Sequence, residues 1–226
     1  MEVVSAELRD YASADPPLTV QIGVPRLQGL RNGSIQQAVN NSLLAIVTGA
    51  EESFIADVGR YVEDVEPTPE APVSSLDMFY DVRFLTPELL SIRFESSTYF
   101  EGAANPGQAV QTRNIDLTNG DELHLEDLFT GAEWAFALDT LLRERVTEEL
   151  YEGDPGGFDG WVDANELVIP QHFAISSSGL EFSFQEFEIG PGVLGAPTVT
   201  LPFDAMGVYI DPDGILGSLA DIAGDG

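Results

Sequence analysis

The stretch that decides the fold is residues 75–99, SLDMFYDVRFLTPELLSIRFESSTY. Two runs rich in aromatic and β-branched residues, 75–85 and 89–99, flank the turn residues Thr86-Pro87-Glu88, and this pattern predicts a β-hairpin. A loop containing Gly, Asn and Pro, residues 101–107, leads to a third strand at about 110–116. These three strands should form an antiparallel meander, because parallel neighbours would need long crossover connections.

The segments on either side of this meander predict an α+β fold. Residues 18–24 alternate apolar and polar positions, as in a half-buried strand, and Pro25 should end that strand. Apolar residues recur at helical spacing from about 34 to 62 and from 134 to about 151, so two amphipathic helices are expected. Three short strands should follow, at His172–Ile175, Leu180–Phe184 and Thr198–Leu201. We therefore predict an α+β domain in which an antiparallel sheet carries two main helices on one face.

The chain should divide into a flexible N-terminus at residues 1–15, a single α+β domain at 16–206 and an acidic, Gly-rich tail at 207–226. The Pro-rich segment Glu66–Pro72 is interpreted as a loop inside the domain, since one strand and one helix before it cannot form a core. The residues predicted to be in the core are Val20, Ile22, Ile46, Phe54, Phe79, Tyr80, Phe84, Ile92, Phe94, Leu128, Phe129, Trp134, Leu138, Leu142, Phe182, Phe184 and Val199.

Charge excludes several classes of partner. The 226 residues include 39 acidic and nine basic side chains, all nine of them Arg, and the formal net charge is -30. This balance argues against binding to nucleic acid or to anionic membrane surfaces. No apolar run approaches the ~20 residues that a membrane span needs. Two interpretations of the acidity stay open: adaptation to high salt, or an ordinary acidic surface from a lysine-poor genome.

No motif predicts a catalytic, cofactor-binding or metal-binding residue. Residues 190–195, GPGVLG, fit the glycine spacing of a dinucleotide loop, but strands rather than a strand and a helix flank them. The acidic loop Asp211–Gly214 lacks the terminal Glu of a calcium loop, and the two histidines, His124 and His172, lack the spacing of a zinc helix. The expectation is therefore a protein without enzymatic activity, cofactor or metal.

Two blocks of sequence resemble a known bacterial family. The first block comprises residues 99–106 (YFEGAANP), 114–120 (NIDLTNG) and 125–129 (LEDLF). The second comprises residues 173–175 (FAI), 179–184 (GLEFSF), 187–191 (FEIGP), Gly195 and 199–203 (VTLPF). In this order they resemble the RsiV/PdaC-type extracytoplasmic domain family, over about residues 16–206. That domain is shared by lysozyme-sensing anti-sigma factors, the N-terminal regions of peptidoglycan deacetylases and secreted mycobacterial antigens.

The resemblance implies in which compartment the protein lies, a question that the N-terminal sequence leaves open. Residues 1–5, MEVVS, have no basic or apolar leader pattern, so either the chain is cytoplasmic or an export signal has been removed. The family resemblance favours the second alternative, with an extracytoplasmic location that is periplasmic, cell-surface or secreted.

The resemblance also implies a non-enzymatic binding or sensing domain. The expected partner is a basic protein such as lysozyme, or a cell-wall component. The candidate binding residues are Tyr99, Phe100 and Asn105 in one loop and Phe187 in another. Asn105 stands where the family often has His, so a role of that imidazole does not carry over. The alternative function is an accessory or catalytic domain of a cell-wall polysaccharide deacetylase or hydrolase.

Overall fold

The computed structural model describes residues 1–64, 73–163 and 166–217 and confirms the α+β class. The predicted loop Glu66–Pro72 lies outside the described residues. The strands and α-helices of the described residues with defined bounds are, in chain order, β1 Glu2–Ala14, β2 Pro17–Gln28, α1 Gly33–Asp64, β3 Ser74–Leu85, β4 Leu89–Tyr99, β5 Gly107–Asp116, α2 Trp134–Leu150, α3 Pro155–Asp159, β6 His172–Ile175, β7 Gly179–Ser183, β8 Thr198–Pro202 and α4 Phe203–Met206.

The larger sheet has five strands in the order β1-β2-β3-β4-β5. The predicted hairpin and antiparallel meander are present as β3, β4 and β5. β2 pairs with β3 in parallel, because the long helix α1 lies between them in sequence and provides the crossover. α1 packs against β2 and β3, and the core of this half lies between helix and sheet.

Strands β6, β7 and β8 form a second sheet, whereas we predicted that all strands belong to one sheet. α2 packs against β8 rather than beside α1, so each sheet has its own helix and its own core. The five residues of β7 are all buried, which requires cover on both faces of that strand. The sheets are joined by side chains: the Ile175 amide donates to Ser91 Oγ at 2.9 Å and to Asn114 Oδ1 at 3.1 Å, and Asn114 Nδ2 donates to the Phe173 carbonyl at 2.9 Å.

The prediction of a flexible N-terminus is wrong, since residues 2–14 form β1 and pair along β2. Tyr11 also donates to Glu51 of α1 at 2.9 Å, and Arg9 pairs with the same carboxylate. β1 is an edge strand with mostly exposed side chains, so it lacks the apolar alternation that identifies buried strands. Pro25 does not end β2 either; its partner Ser5 lies next to a bulge, where a missing amide hydrogen is tolerated.

The segment 207–217 belongs to the folded structure and is not a free tail. Ile210 and Leu216 lie in the core of the second sheet, at 5% and 0% exposure. The Thr130 amide donates to the Tyr209 carbonyl at 2.8 Å, and the Asp211 amide donates to the Leu128 carbonyl at 3.1 Å. Apolar side chains and backbone hydrogen bonds together attach this acidic segment to the second half of the molecule. Residues 218–226 lie outside the described part.

Most of the predicted core is buried, with Phe79 as the exception. The Phe79 side chain is 51% exposed, because Leu76 and Met78 are buried and the alternation along β3 points Phe79 to the other side. Three further predicted core residues, Tyr80, Phe84 and Trp134, are only partly buried against the two cores.

Candidate functional site

Two loops meet at one end of β5 and form an open groove of about 760 Å³. One side is the loop before β5, with Asn105 and Pro106, and the other is the segment after β7, with Glu186, Phe187 and Val193. The structure thus brings together two of the four predicted binding residues, Asn105 and Phe187, which are 82 positions apart in the sequence.

Side-chain hydrogen bonds hold the second loop against the edge of β5. Gln185 accepts from the Val110 amide at 3.2 Å and donates to the Val110 carbonyl at 2.7 Å, so its amide continues the strand pairing. Glu186 Oε2 accepts from the Gln108 amide at 2.9 Å, and Glu188 Oε2 closes the turn by accepting from the Gln185 amide at 2.6 Å. These hydrogen bonds fix the wall of the groove to the edge of the sheet.

Phe187 stands out from this wall in an unfavourable backbone conformation. Its φ is 67°, in the left-handed region that bulky residues rarely adopt, and its side chain is 62% exposed. The ring lies against the backbone of Gly192, where an added Cβ would come within 2.6 Å of Phe187 Cζ. Such strain persists only where the surroundings impose it, and here the bonded turn imposes it.

The groove combines apolar and acidic groups. Val193 is 89% exposed and lies with Phe187 in the groove lining. The Glu186 carboxylate adds negative charge, and Asn105 adds an exposed, neutral amide. Aromatic side chains are common anchors of protein interfaces, and a carboxylate attracts positively charged groups. The sequence also predicts binding by exposed residues of the segment Phe187–Leu194, which includes Val193, but it missed Glu186, one position before that segment.

The structure does not bring Tyr99 and Phe100 into this groove. Phe100 turns to the other side of its loop and packs on Phe54 and Tyr61, with ring centroids 6.0 and 5.9 Å apart. The Tyr61 hydroxyl donates to the Glu101 carbonyl at 2.7 Å and attaches the loop to α1. Tyr99 is partly buried at the end of β4, opposite Ser75. Phe100 therefore supports the loop, and Phe187 is the exposed aromatic of the groove.

Both histidines line a separate pocket of about 450 Å³ between the end of β5 and the start of β6. His124 and His172 share it with Arg113, Glu122 and Glu126. Burial, and then the positive charge of Arg113, lower the pKa of His172. Among the described residues, no group of three or more His, Cys, Asp or Glu is arranged to hold a metal ion. Sequence reasoning missed this meeting of the two histidines, because 48 positions separate them.

The part of the chain that the structure describes contains no helix long and apolar enough to cross a membrane.

Comparison with known proteins gives matches at both sequence and fold level. Residues 126–204 match the family described as "Protein of unknown function (DUF3298)". Over 193 residues the chain is 25% identical to the anti-sigma-V factor RsiV of Bacillus subtilis (strain 168), covering 81% of this chain. The chain spans about 62% of the length of that relative.

Two solved structures share the fold over nearly the whole chain. A member of the DUF3298 family from Bacteroides fragilis has a TM-score of 0.76 at 18% identity, covering 97% of both chains. A DUF3298 family protein from Pseudomonas aeruginosa has a TM-score of 0.63 at 16% identity, covering 93% of this chain and 94% of that one. The resemblance seen in the sequence is therefore confirmed: residues 126–204 match the DUF3298 family, and the chain is similar to RsiV in sequence and to DUF3298 proteins in fold.

Proposed function

We propose that this chain is a non-enzymatic extracytoplasmic binding or sensing domain whose partner binds in the groove between Asn105 and Phe187. The observation that carries the proposal is Phe187 itself, an exposed aromatic side chain held in a strained backbone by a hydrogen-bonded turn. A rigid anchor loses little conformational entropy on binding, and aromatic anchors dominate the energetics of many interfaces. The similarity to an anti-sigma factor supports a role in signalling.

The proposed partner is a basic protein of the lysozyme type. The net charge of -30 attracts cationic proteins from a distance, and Glu186 places a carboxylate beside the aromatic anchor. Long-range attraction raises the association rate but is shared by every basic protein. Specific recognition must therefore come from the short-range contacts of Phe187 and its neighbours.

The test is a titration of hen lysozyme at about 0.05 M and about 0.5 M NaCl, where the higher salt screens the general charge attraction. We expect binding to persist at the higher salt and Phe187→Ala to weaken it about tenfold or more, as for an interface hot spot. Phe136→Ala is the matched control, because Phe136 is also exposed, at 68%, but lies on α2 outside the groove. Binding that disappears at the higher salt, or that is unaffected by Phe187→Ala, contradicts the proposal.

The alternative function, a cell-wall deacetylase or hydrolase, has one observation in its favour. His124 and His172 share a pocket with Glu122 and Glu126. Histidine and carboxylate side chains are the groups that most often act as general acids and bases in enzymes. An assay on peptidoglycan fragments with added divalent metal ions separates the two functions. Turnover that is lost in both His124→Ala and His172→Ala would replace the binding proposal by the enzymatic one.

A further inference from the structure

A polar cleft separates α1 from the part of the larger sheet that the helix does not cover. α1 packs on β2 and β3, so the same face of β4 and β5 stays open beside it. The cleft has a volume of about 620 Å³. Its helix wall is lined by the small residues Ala45, Gly49 and Ala50, which leave the space free.

The floor of the cleft is apolar and its upper walls are polar. Ile46, Phe54, Leu76 and Phe100 form the floor. The polar lining consists of four hydroxyl side chains and one amide, from Ser42, Ser53, Ser96, Thr98 and Gln111. Within the described residues none of these five side chains has a hydrogen-bond partner in the protein, although all but Ser53 are partly buried. The polar atoms of these five side chains therefore remain accessible, and they offer donors and acceptors to a ligand.

The charged groups in the cleft are already paired. Arg113 lies 3.3 Å from the Glu122 carboxylate and donates to the Thr112 carbonyl at 2.7 Å. Asp57 is bonded to Arg60 on the next turn of α1. Neither an anion nor a cation would therefore find an unpaired counter-charge here, which favours a neutral ligand with one apolar face and polar edges.

We propose that this cleft binds a neutral oligosaccharide. A sugar ring presents C–H groups on its face and hydroxyls around its edge, which matches an apolar floor between hydroxyl and amide walls. The volume lies within the range of about 300–1,000 Å³ that is usual for ligand sites. Phe100 reaches the cleft from the same loop that carries Asn105 into the partner groove, so the two sites lie on opposite sides of that loop. The inference is independent of the proposed partner in the groove.

Two glycines of α1 provide a matched pair of variants. A Cβ added at Gly49 or at Gly59 meets no atom within 4 Å, so both positions accept a side chain, but only Gly49 lines the cleft. Gly49→Leu should fill the cleft and Gly59→Leu should leave it open. Both variants should melt no lower than the wild type, because Gly is unfavourable inside a helix.

The experiment measures binding of chitotetraose and cellotetraose to the full chain by saturation-transfer NMR and by titration. The sugar concentration reaches about 10 mM, so that a complex with a dissociation constant in the millimolar range is detected. We expect the wild type and Gly59→Leu to bind at least one of them and Gly49→Leu to bind at least tenfold more weakly. Gln111→Ala, which removes one of the free polar groups, should weaken binding about fivefold. If the protein binds chitotetraose but not cellotetraose, binding requires the acetamido groups. If it binds both sugars, the ring hydroxyls that they share are sufficient for recognition. Absence of binding to the wild type, or binding unchanged by Gly49→Leu and Gln111→Ala, overturns the proposal.

Discussion

His172 is the first residue of β6, and its surroundings disfavour the protonated, positively charged form of its side chain. It is half-buried and lies in the pocket that also contains Arg113 and the carboxylates of Glu122 and Glu126. Two effects lower the pKa of His172 below its ordinary value of 6.5. Burial is the larger effect, and the positive charge of Arg113 is the smaller one. The carboxylates in the pocket do not outweigh these two effects.

The lowered pKa of His172 predicts that this histidine makes its own contribution to the pH dependence of folding stability. Below about pH 6.5 the unfolded chain takes up a proton at this histidine while the folded chain resists it, so acidification favours unfolding. We expect the wild type to lose more thermal stability than His172→Gln when the pH falls from about 7.5 to about 5. Protonation of the many carboxylates affects both proteins alike, so the comparison isolates the histidine. Parallel melting curves for the two proteins across this range would disprove the assignment.

At the scale of elements, one ion pair connects the two sheets. Arg83 of β3 donates from Nε to Glu181 Oε2 at 2.7 Å and from Nη2 to Oε1 at 2.6 Å, a two-pronged contact with a strand of the smaller sheet. The Glu181 side chain is only 8% exposed, and its hydrogen bonds raise the pKa of Arg83. A second carboxylate, Asp81, pairs with the same guanidinium from the exposed side.

Removing the arginine should leave a buried, unpaired carboxylate. We expect Arg83→Met to lower the free energy of unfolding by about 3 kcal/mol, because the desolvation cost of Glu181 then has no compensation. The double variant Arg83→Met/Glu181→Leu should recover most of the loss, since apolar side chains of similar size can replace a buried ion pair. Urea unfolding of the three proteins measures this. A double variant as unstable as the single one would mean that the arginine acts through packing instead.

Over the whole molecule, the excess of acid cannot be neutralised internally. Within the part of the chain that the structure describes, seven of the nine arginines pair with carboxylates, at positions 9, 60, 83, 93, 113, 143 and 145. The net charge of -30 is therefore carried by side chains that repel one another across a compact fold. Self-repulsion of this kind opposes the folded state more than the expanded unfolded chain.

Salt should therefore stabilise this protein. The Debye length falls from about 30 Å at 0.01 M to about 3 Å at 1 M ionic strength, which screens the repulsion. We expect the melting temperature to rise with NaCl over this range, because the exposed ion pairs that salt also weakens contribute little each. Thermal melts at increasing NaCl test the expectation. A melting temperature that is constant or falls would rule out salt adaptation through surface charge.

Elements whose signal is local could be predicted from the sequence. The hairpin of β3 and β4, the short strands β6 to β8 and the helices α1 and α2 each have apolar residues at the period of their own secondary structure. The family resemblance also rests on short runs of sequence. Each run forms a turn or the end of a strand, where the backbone requires particular residues. Two of the four predicted binding residues, Asn105 and Phe187, come from loops that carry the family pattern, and the structure places both in the groove.

What depends on distant pairing was decided only by the tertiary structure. β1 is ordered by hydrogen bonds to β2 and by contacts with Glu51, although its own side chains are mostly exposed. Whether Phe100 or Phe187 faced the groove depended on α1, which buries one ring beside Tyr61 and never reaches the other. His124 and His172 meet because β5 and β6 lie next to each other in separate sheets. Periodicity along a chain reports which face of an element is apolar, but which element covers that face is determined by the packing of the whole chain.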